Sequence, residues 1–211
     1  MSYTNGDLFL REAIVFLSAL IYWGGVMINV YRVRGHIGKS PNLMKYKSLK
    51  EKLLFLGWFV VIAGWAGQPL IIGSYGHTAF ISFINVLYIP FGLTIGLALA
   101  LTGYACTLWC YKTLGDSWRL GVDGKAKTVL VNQGIYRRVR HPIYLFQIII
   151  LIGMAWLLPT PFSLAILLIH FICISIMAME EEAYLMKTHG SEYREYFFST
   201  GRFLPSLKSR N

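Results

Sequence analysis

Residues 143–179 read IYLFQIIILIGMAWLLPTPFSLAILLIHFICISIMAM. Two apolar runs, Ile143–Leu158 and Phe162–Met179, are separated by Pro159-Thr160-Pro161 alone. Each run approaches the ~20 residues that a helix needs to cross a bilayer core. A Pro-Thr-Pro break between them leaves no room for anything but an antiparallel hairpin of tilted or slightly short helices. The two far ends of that hairpin must then be neighbours. One end carries RRVRHPIY (137–144) and the other carries three glutamates, Glu180–Glu182.

Working outward, three more apolar runs precede the hairpin: Ala13–Tyr31, Leu53–Gly73 and Ala79–Cys110. The last would reach about 48 Å as a continuous helix, against a hydrocarbon core of ~30 Å. It is too short for two spans, and Pro90 is expected to kink it or to divide an interfacial start from the span proper. The count is five spans. The chain has 211 residues, 55% of them hydrophobic and 14% charged, with a mean hydropathy of +0.52. That composition predicts an all-α integral membrane protein. The first run reads as a retained span and not a cleaved signal peptide.

The net charge of +10 is distributed in a way that excludes a nucleic-acid binder. With five spans, Arg32–Lys52, Lys112–Arg140 and the tail after Met179 fall on one side, and only Arg11 falls on the other. That asymmetry follows the positive-inside rule. It predicts an outward N-terminus, a cytosolic C-terminus and a multi-pass protein of a bacterial inner membrane or the endoplasmic reticulum. The outer loops, Ser74–Thr78 and Pro-Thr-Pro, are too short to host a site, so the chemistry is expected on the cytosolic face. Residues 1–111 form an N-terminal unit of three spans and 112–211 a catalytic region. Partners are expected to be the bilayer and a lipophilic small molecule, with oligomeric state left open.

Cys106, Cys110 and Cys173 all lie in apolar runs without CxxC spacing or paired histidines, so no metal site or disulfide framework is indicated. No GxGxxG follows a strand, which excludes a Rossmann-type domain. His170, Gln68 and Asn85 read as helix-packing groups, the six tryptophans as interfacial belts and packing, and the Gly24-Gly25 and Gly57/Gly64 pairs as close helix contacts. An arginine cluster at a span end commonly anchors to lipid phosphates. Three glutamates directly after an apolar span are less easily explained, because they oppose both the helix dipole and an anionic leaflet. The two oddities together point to a binding site at the hairpin ends.

The stretch GIYRRVRHPIY, followed by EEEAYL and HGSEYREYFFSTGRFLP, resembles the isoprenylcysteine carboxyl methyltransferase family and its phospholipid-methyltransferase relatives. The matching residues are Gly134, Tyr136, Arg140, His141, Pro142, Tyr144, Glu181, Glu182, Leu185, Gly190, Tyr193, Tyr196, Arg202 and Pro205, and LGDSWRLGV (114–122) resembles a segment that precedes the motif. The resemblance covers roughly residues 110–205; the first two spans carry no signature. It implies an S-adenosylmethionine-dependent transfer of a methyl group to a lipid or lipophilic carboxylate, amine or thiol. It implies a cofactor site at Thr128, Val129, Leu130, Val131, Tyr136, His141, Pro142, Ile143, Tyr144 and Glu181. It further implies catalytic roles for Glu181 and Arg202, and substrate contacts from Arg202 and Tyr196. Tyrosine faces suit adenine or a sulfonium cation, and Glu181 suits ribose hydroxyls or an ammonium.

Two positions depart from the family pattern. Met177 stands where the isoprenylcysteine enzymes carry an arginine, which loosens the assignment to carboxyl methylation. Gly201 replaces a proline before Arg202, which predicts a looser tail. An NADPH-dependent membrane sterol or lipid reductase and a non-catalytic scaffold remain as alternative readings. NADPH would need several arginines around its 2′-phosphate.

Overall fold

The computed structural model describes residues 5–42, 48–75, 80–89, 91–121 and 129–206. Pro90, Thr128, Lys45, Lys47, Lys125, Lys127, Lys208, Arg210 and residues 76–79 lie outside the described residues. The elements are α1 (Asn5–Ile37), α2 (Leu49–Tyr75), α3 (Gly92–Leu114), α4 (Pro142–Leu157), α5 (Pro161–His189) and α6 (Ser191–Ser199). Short 3-10 turns occupy Asn85–Leu87, Gly115–Ser117 and Gly134–Arg137.

Helices α1, α2, α3 and α5 are long and apolar enough to cross a membrane. Helix α4 has 16 residues, or about 24 Å, short of a ~30 Å core. The fifth expected span therefore exists as an apolar helix, but a short one. The long third run resolves at its N-terminal end: helix begins only at Gly92, and residues 80–89 run beneath the hairpin turn. They are pinned there by backbone bonds, with the Ile84 N–H donating to Pro159 O at 2.7 Å and the Phe162 N–H donating to Phe80 O at 3.1 Å. Asn85 is exposed in that segment, so it is not the helix-packing group its position in an apolar run suggests.

Pro142 and Pro161 both sit in first helical turns, where the missing N–H costs nothing and φ is already helical. The Thr160 hydroxyl caps α5 by accepting from the Ser163 N–H at 3.1 Å. Gln68 of α2 donates to both Thr160 Oγ1 (3.0 Å) and Ser163 Oγ (2.6 Å), tying α2 to the same corner. Gln68 thus packs helices, as expected.

In lipid there is little hydrophobic drive between helices, so close backbone approach holds them together. The tightest seam joins α3 to α4. A Cβ on Gly96 would lie 2.8 Å from Gly153 O, and one on Gly153 would lie 2.7 Å from Gly96 O. Gly57 and Gly64 seat α2 on α5, facing Cys173 and Ile166. A Cβ on Gly24 or Gly25 would meet nothing within 4 Å, so that pair makes no close helix contact. His170 is buried with neither ring nitrogen hydrogen-bonded; it packs edge-on against Trp58 with centroids 5.3 Å apart.

The helices alternate in direction. The end of α1, the start of α2, the end of α3, the start of α4 and the end of α5 gather at one basic end. Ion pairs there include Lys50–Glu180 at 2.5 Å and His36–Asp116 at 2.9 Å. At the opposite end Arg11 is buried, paired with Asp7 at 3.0 Å, stacked over the Tyr88 ring at 4.3 Å and donating to Leu157 O at 3.3 Å.

Candidate active site

The chain reaches α4 through a stretch that decides the site. Gly134 sits at φ +59°, a left-handed conformation that L side chains avoid, and it opens the 3-10 turn containing Tyr136. Residues 139–141 then run beside residues 201–202. The Arg140 N–H donates to Gly201 O (2.8 Å), the His141 N–H to Arg202 O (3.0 Å) and the Gly201 N–H to Arg138 O (3.2 Å). Gly201 is therefore a reason for order and not for looseness. A proline there would lack the donated bond, and any Cβ would collide with the Leu204 carbonyl. The expected loose tail is corrected by these three bonds. Gly190, at φ +56°, reverses the chain from α5 into α6, which returns Tyr193 and Tyr196 to the same cluster.

Two carboxylates from α5 meet two different sets of partners. Glu182 is buried and accepts from Arg140 Nε at 2.9 Å, from Arg202 Nη2 at 2.6 Å and faces His141 Nε2 at 3.3 Å. Glu181 accepts from the Tyr144 hydroxyl at 2.7 Å and faces His141 Nδ1 at 3.3 Å. His141 thus lies between the two acids, with its ring stacked on Tyr144 at 5.6 Å and 12°. Burial works against a charge on this imidazole, but the bonds to Glu181 and Glu182 outweigh it, and its pKa is raised above the ordinary 6.5. Arg140 also donates to the Phe197 carbonyl at 2.8 Å and to the Thr200 carbonyl, and stacks on the Phe197 ring at 4.2 Å.

All but one of the site residues expected from sequence have a definite place. Tyr136, His141, Ile143, Tyr144, Glu181, Tyr196, Leu130 and Val131 line one cavity of about 430 Å³. Val129 also lines it but is 78% exposed, at its rim. Pro142 is buried at the start of α4. Tyr196 donates to the Tyr136 carbonyl at 2.6 Å, so its hydroxyl positions the 3-10 turn. The Arg202 guanidinium is engaged with Glu182 and does not line the cavity. Thr128 lies outside the described residues.

The cavity also has a wall that the sequence did not signal. Tyr22, Trp23, Val26 and Met27 of α1, with Phe55, Trp58, Phe59 and Ile62 of α2, form its apolar half. The α2 set recurs at i, i+3, i+4 and i+7, which is one helix face; that aromatic spacing was the available clue. Ser117–Gly121 of the LGDSWRLGV stretch closes part of the mouth, held by the Leu120 N–H donating to Pro41 O at 3.0 Å.

The phospholipid methyltransferase family model matches residues 91–192, from the start of α3 through α5 to α6. That match takes in just under half of the chain and is a likeness to the phospholipid methyltransferase family. A solved structure of the eukaryotic intramembrane Ras methyltransferase, isoprenylcysteine carboxyl methyltransferase, shares the fold of this chain. The TM-score is 0.57, with 19% identity over 96% of this chain and 64% of that one. A nickel-cobalt-cadmium resistance protein, NccN, of Alcaligenes xylosoxydans xylosoxydans is 26% identical over 115 residues, 54% of this chain and 50% of that protein. The chain spans half the length of that curated relative and less than two thirds of the solved one. The family match includes the Glu181–Glu182 pair and His141 but not α1 and α2, which build the apolar wall.

Proposed function

We propose that this protein is an integral membrane methyltransferase that uses S-adenosylmethionine and acts on a lipid or lipophilic acceptor. The observation that carries this reading is a cavity with two chemically opposite halves. One half is polar and aromatic, formed by Tyr136, His141, Tyr144, Glu181, Tyr193 and Tyr196. The other is the apolar wall of α1 and α2, where Met27, Phe55 and Phe59 are also exposed at the helix surface. A volume of about 430 Å³ lies within the usual range of small-ligand sites.

The residues fit the cofactor. Bound S-adenosylmethionine supplies a methyl group already activated as a sulfonium. A cation of that kind is matched by the Glu181 carboxylate and by the Tyr136 and Tyr144 rings. Tyr193 lines the cavity, and its hydroxyl is a buried polar atom with no hydrogen-bond partner, as expected of a group awaiting a ligand. The chain's own contribution is positioning and exclusion of water. His141 and Tyr144 fix the Glu181 carboxylate. Glu182, clamped by Arg140 and Arg202, fixes the backbone that presents His141. The region 112–211 supplies the cofactor half and the helices of 1–111 the acceptor half, with the basic end toward the cytosol and the acceptor entering from the adjoining leaflet.

The reductase reading loses its support from this geometry. Arg137 and Arg138 are exposed away from the cavity, and Arg140 is committed to Glu182. Metal resistance, the property in the name of the NccN relative, finds no ligand set here: among the described residues no three His, Cys, Asp or Glu side chains converge to hold an ion. The test is calorimetric binding of S-adenosylhomocysteine to purified protein in nanodiscs. Wild type is expected to bind and Glu181→Gln to bind at least about tenfold more weakly. Absence of binding and of any thermal shift by wild type overturns the proposal.

A further inference from the structure

Deep in the cavity lie three polar side chains that the cofactor half does not use. Tyr22 of α1 stands between Tyr111 of α3 and Gln147 of α4, as a hydrogen-bond neighbour of each. All three line the cavity and all are buried, at 4%, 7% and 6% exposure. The Gln147 Oε1 has no hydrogen-bond partner. Native structures rarely leave a buried amide oxygen unmatched unless a ligand or water meets it.

The helix geometry says what that ligand touches. Gln147 follows Tyr144 by three residues, so both share a face of α4, and Gln147 lies ~4.5 Å further along the axis. It therefore sits one step past the polar cluster, where that half gives way to the apolar wall of α1 and α2. The α1 and α2 residues of this wall include no cation, and of the cavity's arginines Arg140 is held by Glu182 and Arg119 by the Asp116 and Trp118 carbonyls.

We propose that Gln147, backed by Tyr22 and Tyr111, is the subsite for the acceptor's head group. Its Oε1 accepts a hydrogen bond from an N–H or O–H on the atom to be methylated, which selects lipid-like amines or alcohols over carboxylates and thioethers. A carboxylate has no hydrogen to give at neutral pH and would face the amide oxygen with like partial charge. The assignment rests on the methyl-transfer reading for the word acceptor, but the hydrogen-bond preference can be measured without turnover.

The probes are dodecanol and 1-methoxydodecane, equal in charge and nearly equal in size, one with the donor and one without. Binding is read from tryptophan fluorescence, since Trp23, Trp58 and Trp118 line the cavity. Wild type is expected to bind the alcohol about tenfold more tightly than the ether, and Gln147→Leu to bind both alike. Where that variant is not recovered folded, Gln147→Met serves the same comparison. Equal affinity for the two probes in wild type, or a preference that persists in the variant, overturns the proposal. S-adenosylhomocysteine binding is measured on the same preparations. If the alcohol preference depends on Gln147 but S-adenosylhomocysteine does not bind, the subsite stands and the methyl-transfer reading falls.

Discussion

Arg202 meets Glu182 through both carboxylate oxygens, 2.6 Å from Nη2 to Oε2 and 3.1 Å from Nε to Oε1. The same carboxylate holds Arg140 at 2.9 Å, so one acid from α5 joins the entry to α4 and the C-terminal segment. The two arginines are not equivalent. The Arg140 side chain is 8% exposed and that of Arg202 36%. Glu182→Ala strands a buried guanidinium and is expected to cost roughly 3–5 kcal/mol. Arg202→Ala, at the solvent-screened edge, is expected to cost about 1 kcal/mol or less. Chemical denaturation in detergent ranks the two, and equal losses would refute the buried clamp.

His141 provides a pH test with a defined sign. Its pKa is raised above 6.5 by Glu181 and Glu182 against the opposing effect of burial. A group with a raised folded-state pKa contributes stability that is fully present below the unfolded value and is lost as pH rises through the folded value. The melting temperature of wild type should therefore exceed that of His141→Asn most clearly near pH 6, and the gap should shrink toward pH 9. A gap that is flat or widens with pH contradicts a protonated imidazole between the acids.

The hairpin and its ends were legible because two independent signals coincide there. Pro159-Thr160-Pro161 forces the return, and RHPIY and EEE are improbable neighbours of apolar spans unless they meet each other. Distances of 2.7–3.3 Å among His141, Tyr144, Glu181 and Glu182 are the outcome. The division of labour between the acids was not legible. Glu181 and Glu182 are adjacent letters, but a 100° step around α5 sends one to Tyr144 and the cavity and the other to the arginines.

The apolar wall and the true start of α3 were harder to read for a physical reason. In lipid an apolar residue facing a cavity and one facing acyl chains have the same composition, so Phe55 and Phe59 look like ordinary span residues. Residues 80–89 are likewise apolar, yet their backbone is spent on Pro159 and Phe162 instead of on a helix.

The α3–α4 seam supports a stability prediction. Gly96 and Gly153 face each other's carbonyl oxygens, which stand 2.8 and 2.7 Å from where a Cβ would sit, and backbone cannot move aside as a side chain can. Gly153→Val is expected to cost at least the 1–3 kcal/mol typical of overpacking. Gly24→Val, where nothing lies within 4 Å, should change stability by less than about 0.5 kcal/mol. Comparable losses in both variants would mean that the seam is not the close contact.

The two halves of the cavity should be separable by mutation, and Trp58 is the place to divide them. Its indole packs edge-on against Trp23 at 5.8 Å and His170 at 5.3 Å, and donates to Met177 Sδ. It touches none of His141, Tyr144 or Glu181 through any of these contacts. Trp58→Leu keeps an apolar side chain but removes much of the aromatic surface presented to an acyl or prenyl chain. The acyl chain arrives from lipid, so the loss is one of packing contacts and not of burial from water, and it is expected to lower labelled-methyl incorporation into total-lipid vesicles severalfold in kcat/KM. Affinity for S-adenosylhomocysteine should stay within about twofold of wild type, since uniform loss of acceptor binding leaves the cofactor site alone. A parallel fall in S-adenosylhomocysteine affinity would show that α2 shapes the polar half as well, and would merge the two subsites into one.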